Sequence, residues 1–486
     1  MKTEIANIKK TRTGADALVL PVINGGKGDR LNSIDRALKG MIKKVIKDRP
    51  SISDAGNTEI LHIKEKGLPG IILLVGVGDV KKTGLDELRA AGGSAFSALA
   101  RYEPQVVALA ADDLLQKKVD HIPFVEGFML RNYSYDRYRS VNNKKAVRTF
   151  RIDGKHNKKV ESRIKELSEI TEAVHFARDL VNTPSNDLIP SDLAREARRM
   201  EGGKMKVKVM GKKDIIRAGM NAFYSVAKGS KEAPRFITLE YKGKKGPGIA
   251  LVGKAITFDS GGISLKPSEG MEKMKYDMAG GAVVLGVMRA VSRLKLPVNL
   301  IGVIPSCENL PGGAASKPGD VVKTAGGKTI EIVNTDAEGR LILADAIEYT
   351  KKLSPEVIID IATLTGACAV ALGNEAIAAM GNDQKYIEKL MKSSAATGEK
   401  VWQMPLYKEY RDYIKSEVAD IKNSGGRSGS LVTAGYFLKE FAGDTPWIHL
   451  DIASTAWTDK DRPYMPKGAT GIGVRLLVDL VAEVSK

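Results

Sequence analysis

Only two cysteines, Cys307 and Cys368, occur in the 486 residues of this chain. That is too few for a disulfide framework. Histidine is nearly as scarce, with His62, His121, His156, His175 and His449 alone, and neither HExxH nor CxxC is present. Thiolate zinc sites and the common histidine-rich ones are thereby excluded, so any metal centre must be built mainly from carboxylates. No uninterrupted run of about 18 apolar residues exists, and no membrane span is expected. The chain opens Met1-Lys2-Thr3-Glu4 and has no apolar stretch before Ala17. The run Ala17 to Ile23 reads as a strand rather than a signal peptide, which predicts a cytoplasmic protein.

What is present begins with length and charge. A chain this long exceeds one ordinary core, so two domains are expected. The net charge is +18, and residues 1–250 hold 48 basic against 30 acidic side chains, whereas residues 251–486 hold 28 of each. Attraction for polyanions and any chemistry in the neutral half would therefore be separable properties.

The first 150 residues alternate strand and helix patterns. Ala17–Ile23, Glu59–Ile63, Gly70–Val77 and Val106–Ala111 read as strands, and Ser33–Asp48 and Leu85–Tyr102 as amphipathic helices. The polar, basic stretch Asn142 to Lys159 reads as a boundary. A helix pattern from about Glu161 to Val181 stops before Asn182-Thr183-Pro184. Strands are then expected at Lys206–Met210, Phe236–Tyr241, Gly248–Val252, Val298–Ile304, Thr329–Val333 and Val357–Ile361, with helices at Met271–Leu294 and Arg340–Lys352. The fold class is α/β: a smaller N-terminal domain with a mixed sheet (1–160), a linking helix (161–190), and a larger domain (191–486) whose mostly parallel sheet is flanked by helices. Sites in such sheets form at the carboxyl ends of the strands.

One heptapeptide carries the most chemistry, Asn334-Thr335-Asp336-Ala337-Glu338-Gly339-Arg340. In an extended segment, residues two apart share a side, so Asp336, Glu338 and Arg340 are expected to face one pocket. A second acidic cluster lies in Gly253 to Gly262 and includes Asp259, with Lys254 before it and Lys266 after it. Asp277 falls between Met274, Met278 and Val283, where an acid is costly to bury unless a cation neutralises it. Taken singly, Asp259 reads as a turn residue, Asp277 as a partner for Lys273 or Lys275, and Lys254 and Lys266 as surface charges. Together Asp259, Asp277, Asp336 and Glu338 supply enough oxygens for two divalent ions.

These stretches resemble the M17 metallopeptidase family, the leucyl or cytosol aminopeptidases. The resemblance rests on Asn334–Arg340, Val252–Met278, Ala177–Pro190, Ala362–Ala367 and Trp447–Ala453, and covers about residues 177–470 in the family's order. Ser454 departs from it, since many members have glycine there. The resemblance implies a metal-dependent exopeptidase acting on peptides with a free N-terminus, leucine and other apolar residues preferred. It implies that Lys254, Asp259, Asp277 and Glu338 hold a tightly bound metal and Asp259, Asp336 and Glu338 a more exchangeable one. The ions would be Zn or Mn, with Mg or Co as alternatives, and would polarise a water. Lys266 would stabilise the oxyanion, and Arg340 would hold a bicarbonate acting as general base. Thr363, Leu364 and Gly366 would contact substrate, and Met274 would line the pocket for the first side chain. A homohexamer is implied too.

Two other readings compete. DNA binding is suggested by Lys43-Lys44, Lys144-Lys145, Lys155 to Lys159, Lys204 to Lys213 and the interleaved Arg131 to Arg139 segment. A binuclear phosphoesterase would add histidine ligands that this constellation lacks. Nucleotide sites fail as well: Gly76-Val77-Gly78 lacks the third glycine of GxGxxG, and Val322 stands where a P-loop before Gly327-Lys328-Thr329 needs glycine.

Overall fold

The computed structural model describes residues 1–6, 14–23, 28–79, 81–117, 119–140, 147–154 and 158–485. Lys144, Lys145 and Lys155 lie outside them. The chain forms two compact units, one of Met1–Glu172 with Asp459–Lys467, the other of Ala173–Thr458 with Gly468–Lys486.

In the first unit, strands β1 (Lys2–Ala6), β2 (Ala17–Ile23), β3 (Thr58–His62), β4 (Ile71–Gly78), β5 (Val106–Ala110) and β6 (Thr149–Asp153) form one sheet in the order β1-β6-β5-β2-β4-β3. All pairs are parallel except β3 with β4. Alternation along β2 sends Ala17 and Val19 into one core and Leu18, Leu20 and Val22 into another, so both faces are covered. The expected helix over Ser33–Asp48 is instead two helices, Asp29–Ala37 and Met41–Asp48. Lys39 and Gly40 take φ of 53° and 85° between them, and that left-handed pair ends one helix and starts the next.

The second unit holds a larger mixed sheet. Its strands are β7 (Met205–Met210), β8 (Arg235–Lys242), β9 (Ile249–Gly253), β10 (Ala255–Asp259), β11 (Asn299–Asn309), β14 (Val357–Ala362), β15 (Ile377–Gly381), β16 (Val401–Gln403) and β18 (Trp447–Asp451). The order is β16-β15-β18-β14-β9-β11-β8-β7, with β10 paired to β11. A small separate sheet joins β12 (Val321–Lys323), β13 (Thr329–Glu331) and β17 (Ile421–Lys422). The central strands β11, β9, β14 and β18 run parallel, whereas β8 and β15 attach antiparallel at the flanks. Every residue of β9, β14 and β18 is buried, as expected for strands covered on both faces.

Glycine lets one helix approach this sheet closely. A Cβ on Gly280 would lie 2.1 Å from the Ile361 carbonyl oxygen, and one on Gly253 would lie 2.5 Å from the Gly280 carbonyl oxygen. The helix Ala279–Leu294 therefore packs backbone to backbone beside Lys254. The expected helix Met271–Leu294 is α-helical only from Ala279; Met271–Met278 is a 3-10 segment. That tighter winding carries Asp277 to the amino end of the α-helix, where the peptide dipoles favour an anion.

Asp345, on the helix Gly339–Lys351, is wholly buried and accepts the Phe223 and Ala325 amides, each at 2.8 Å. Burial pushes its pKa up to about 7, against those two bonds. The folded state thus holds this proton more tightly than the unfolded chain does, whose reference value is 3.8. Its contribution to stability is full below about pH 4 and is lost as pH rises through about 7. Urea unfolding of the wild type and of Asp345→Asn should show the wild type losing ground relative to the variant between about pH 4 and pH 7. A difference independent of pH would contradict this.

Candidate metal centre

The carboxyl ends of β9, β10, β14 and β18 bring the sequence's charged residues together. Lys254 follows β9, Asp259 ends β10, and Thr363 follows β14. Asp277 arrives from the 3-10 segment, and Glu338 stands at the N-cap of the helix Gly339–Lys351. The segment 334–340 is not extended, so alternation is not what gathers its side chains. A turn at Thr335 and Asp336, closed by the Ala337 amide on the Asn334 carbonyl at 3.2 Å, leads directly into the helix. Side-chain oxygens of Asp259, Asp336 and Glu338 nonetheless all lie within 4.8 Å of one another.

Two lysines thread this acidic cluster. Lys254 Nζ lies 2.8 Å from Asp277 Oδ2, 2.8 Å from Glu338 Oε1, and donates to the Thr363 carbonyl at 2.8 Å. Lys266 Nζ lies 2.8 Å from Asp259 Oδ2 and also pairs with Asp336. Burial works against both ammonium groups, but the surrounding carboxylates outweigh it and hold both lysines well above their ordinary value. Burial pushes Asp277, Glu338 and Asp336 upward. Glu338 and Asp259 add to that push on Asp277, and Asp259 adds to it on Glu338. Four acids against two ammonium groups leave an excess of negative charge in a poorly hydrated place. Hard oxygen donors in that state fit one or two divalent cations.

The remaining expected residues fall around this cluster. Thr363 Oγ1 donates to Asp277 Oδ1 at 2.7 Å. Leu364 gives its amide to Asp451 Oδ1 at 3.1 Å. Arg340 is buried and donates from Nη1 to the Asn423 carbonyl at 2.8 Å, while its buried Nε has no hydrogen-bond partner among the described residues. Burial lowers its pKa to about 10. Met274 is half-buried on the 3-10 segment, and a Cβ on Gly366 would meet nothing within 4 Å. The Ser454 hydroxyl lies 3.2 Å from Cys368 Sγ, in a buried contact.

Several residues not singled out by the sequence complete the arrangement, and of these Asn309 lies outside every motif. Asn309 Nδ2 donates to Asp259 Oδ1 at 2.8 Å and to the Thr335 carbonyl at 3.1 Å. Thr335 Oγ1 donates to the Gly261 carbonyl, and the Ser264 and Thr335 amides each reach the other's hydroxyl. Asp451 collects the Leu364, Thr365 and Ala453 amides and the Thr365 hydroxyl. Apart from Ala453, two residues from Asp451, their partners are distant in sequence, so no spacing rule could have found the pairings. The Arg131 to Arg139 segment is largely engaged with the chain itself. Arg131 pairs with Asp461 at 2.8 Å, Arg139 with Asp136 at 3.7 Å, and Arg137 lies 5.6 Å from the centre of the Tyr138 ring.

Fold and centre define an α/β protein with a buried carboxylate site at its strand ends, suited to a divalent cation. Family models for the cytosol aminopeptidases match it twice, the catalytic domain over residues 175–478 and the N-terminal domain over residues 19–142. A probable cytosol aminopeptidase of Geotalea uraniireducens is 45% identical over 469 residues, 94% of each chain. One of Geobacter sulfurreducens is 46% identical over 461 residues, 92% of each. Among solved structures, a tomato leucine aminopeptidase variant superposes with a TM-score of 0.88 at 30% identity, covering 99% of this chain and 96% of that one. The bottromycin maturation enzyme BotP in complex with Mn gives 0.86 at 30% identity, covering 97% and 100%. The chain belongs to the cytosol aminopeptidase family. It is a hydrolase of the metal-dependent, N-terminal exopeptidase type.

Removing one member of a buried charge cluster leaves the others uncompensated. Lys254→Met, measured by urea unfolding in the presence of chelator, should lose about 3–5 kcal/mol. Lys266→Met should lose less, because Asp336 is a third exposed and keeps some water. Equal losses would mean that burial does not set the energetics of these pairs.

Proposed function

We propose that this aminopeptidase uses two divalent ions, held by Lys254, Asp259, Asp277, Asp336 and Glu338, and prefers apolar N-terminal residues such as leucine. The observation that carries this reading is the convergence of Asp259, Asp336 and Glu338 within 4.8 Å. When bound, the ions (Zn or Mn, with Mg or Co as alternatives) supply a polarised water and a Lewis acid, and a bicarbonate at Arg340 supplies a general base. Lys266, held charged by Asp259 and Asp336, donates to the peptide oxygen as negative charge develops on it. Arg340 presents a planar fork that matches a carbonate-like anion, with its buried Nε still lacking a partner among the described residues. Asp451 occupies the Leu364 and Thr365 amides, and Lys254 occupies the Thr363 carbonyl. The backbone of Thr363, Leu364 and Gly366 contacts the substrate on this reading. Met274 and Gly366 border the space for the first side chain.

On the same reading the protein is a cytoplasmic homohexamer. Exposed apolar side chains on the second unit, Val370, Trp402, Tyr407 and Val418, support self-association. An additional DNA-binding role is the alternative, supported by the basic excess of residues 1–250. It requires duplex binding that weakens steeply with salt, and absence of such binding at about 50 mM salt would remove it.

Asp336→Ala and Glu338→Ala should each reduce hydrolysis of leucine p-nitroanilide by at least about a thousandfold while the fold persists by circular dichroism. Metal analysis should find about two ions per chain, and chelation should abolish activity that Mn or Zn restores. Full activity in the Asp336 variant, or in fully chelated protein, would defeat the proposal.

A further inference from the structure

The turn that carries Asp336 and leads to Glu338 has little support of its own. Its internal bonds are the Ala337 amide on the Asn334 carbonyl and the Asp336 amide on Asn334 Oδ1 at 2.9 Å. Asn309, Gly261 and Ser264 hold Thr335 on one side. The flanking residues are held by Asn423, which directly follows β17 and is 0% exposed. Asn423 Oδ1 accepts the Val333 amide at 2.9 Å and the Asn334 amide at 3.3 Å. Its Nδ2 donates to the Asn334 carbonyl at 2.7 Å and to the Ala337 carbonyl at 3.3 Å. Its backbone carbonyl accepts from Arg340 Nη1 at 2.8 Å, and its backbone amide donates to the Glu331 carbonyl at 2.9 Å.

A primary amide has two donor hydrogens and an oxygen with two lone pairs. Asn423 spends all four on one five-residue stretch, and its own backbone holds the guanidinium that follows. We propose that Asn423 is a positioning residue for the aminopeptidase reaction. Through the backbone of residues 333–337 it sets the separation of Asp336 and Glu338, and through its carbonyl it aims Arg340. It touches neither carboxylate.

The side chain is specified by this geometry. Aspartate would keep the two acceptor bonds but lose both donors and set negative charge against two carbonyls. Alanine would take these partners from the Val333 and Asn334 amides and from the buried Ala337 carbonyl, and one of two from the Asn334 carbonyl. Because carboxylate spacing fixes how well a cation is held, loss of an outer support of this kind costs about 10–100-fold in metal affinity. Displacement of about an ångström in the reacting groups costs about a hundredfold in rate.

The proposal rests on the metal-dependent reading above, and the test separates the two. Full-length wild type, Asn423→Ala, Asn423→Asp and a control, Asn382→Ala, would be stripped with chelator and titrated calorimetrically with Mn²⁺. Their kcat, KM and melting temperatures would then be measured. Asn382 makes three comparable side-chain bonds elsewhere, to the Gly443 and Thr445 carbonyls and from the Trp447 amide. The alanine variant should bind Mn²⁺ about 10–100-fold more weakly. Its kcat should fall about a hundredfold with KM little changed. The aspartate variant should fall between it and wild type, and the control should melt lower with affinity and kcat intact. Wild-type Mn²⁺ affinity and kcat in the Asn423 variants, or equal losses in the control, would overturn the proposal. If the alanine variant does not fold, the aspartate variant decides. A wild type that binds no Mn²⁺ would instead remove the metal-dependent reading, and the positioning role with it.

Discussion

Asp259, Asp336 and Glu338 bring carboxylate oxygens within 4.8 Å of one another, Asp277 faces Glu338 across Lys254, and all but the part-exposed Asp336 are buried from the water that would screen them. Burial and mutual charge push Asp277 and Glu338 toward the protonated state. Lys254 and Lys266 oppose this, but two ammonium groups do not balance four acids. An acidic excess held in place by a close-packed scaffold is a standing demand for cations. The rest of the second unit can be understood as the framework that prevents these groups from drifting apart to relieve the repulsion.

That framework depends on close backbone approach. Gly253 and Gly280 let the helix Ala279–Leu294 press against the strand ends, and the Gly281 amide bonds the Lys254 carbonyl at 2.8 Å. A side chain at either glycine would push helix and sheet apart and carry Asp277 away from Lys254. On the other side, Asn309 and Asn423 hold the turn bearing Asp336. Neither asparagine is charged. Their work is geometric: amide groups fix backbone in a low-dielectric region where an unmade hydrogen bond is expensive.

Much of this was legible from residue order. The apolar runs of β9 and β14, the strand β11 and the helix Leu85–Ala100 follow from periodicity, because burial on one or both faces writes itself into local sequence. Two boundaries went otherwise for local reasons. Lys39 and Gly40 divide one helical pattern, and the winding before Ala279 is 3-10 rather than α. The heptapeptide around Asp336 was informative in composition but not in conformation, since a turn and not an extended strand presents its acids.

Residue order by itself determined the chemistry on offer: few thiols and imidazoles, hence a carboxylate centre, with an acid-rich heptapeptide and a glycine-flanked aspartate as its material. It also determined the alternation of strands and helices, because hydrophobic period is a local property. Only the tertiary structure decided that Lys254 lies between Asp277 and Glu338, that Asp451 holds the Leu364 and Thr365 amides, and that Asn423 shapes a turn some 90 residues before it in the chain. Those contacts join segments with no periodic relation. They form because the parallel strands end at one edge of the sheet and bring distant loops within hydrogen-bond reach.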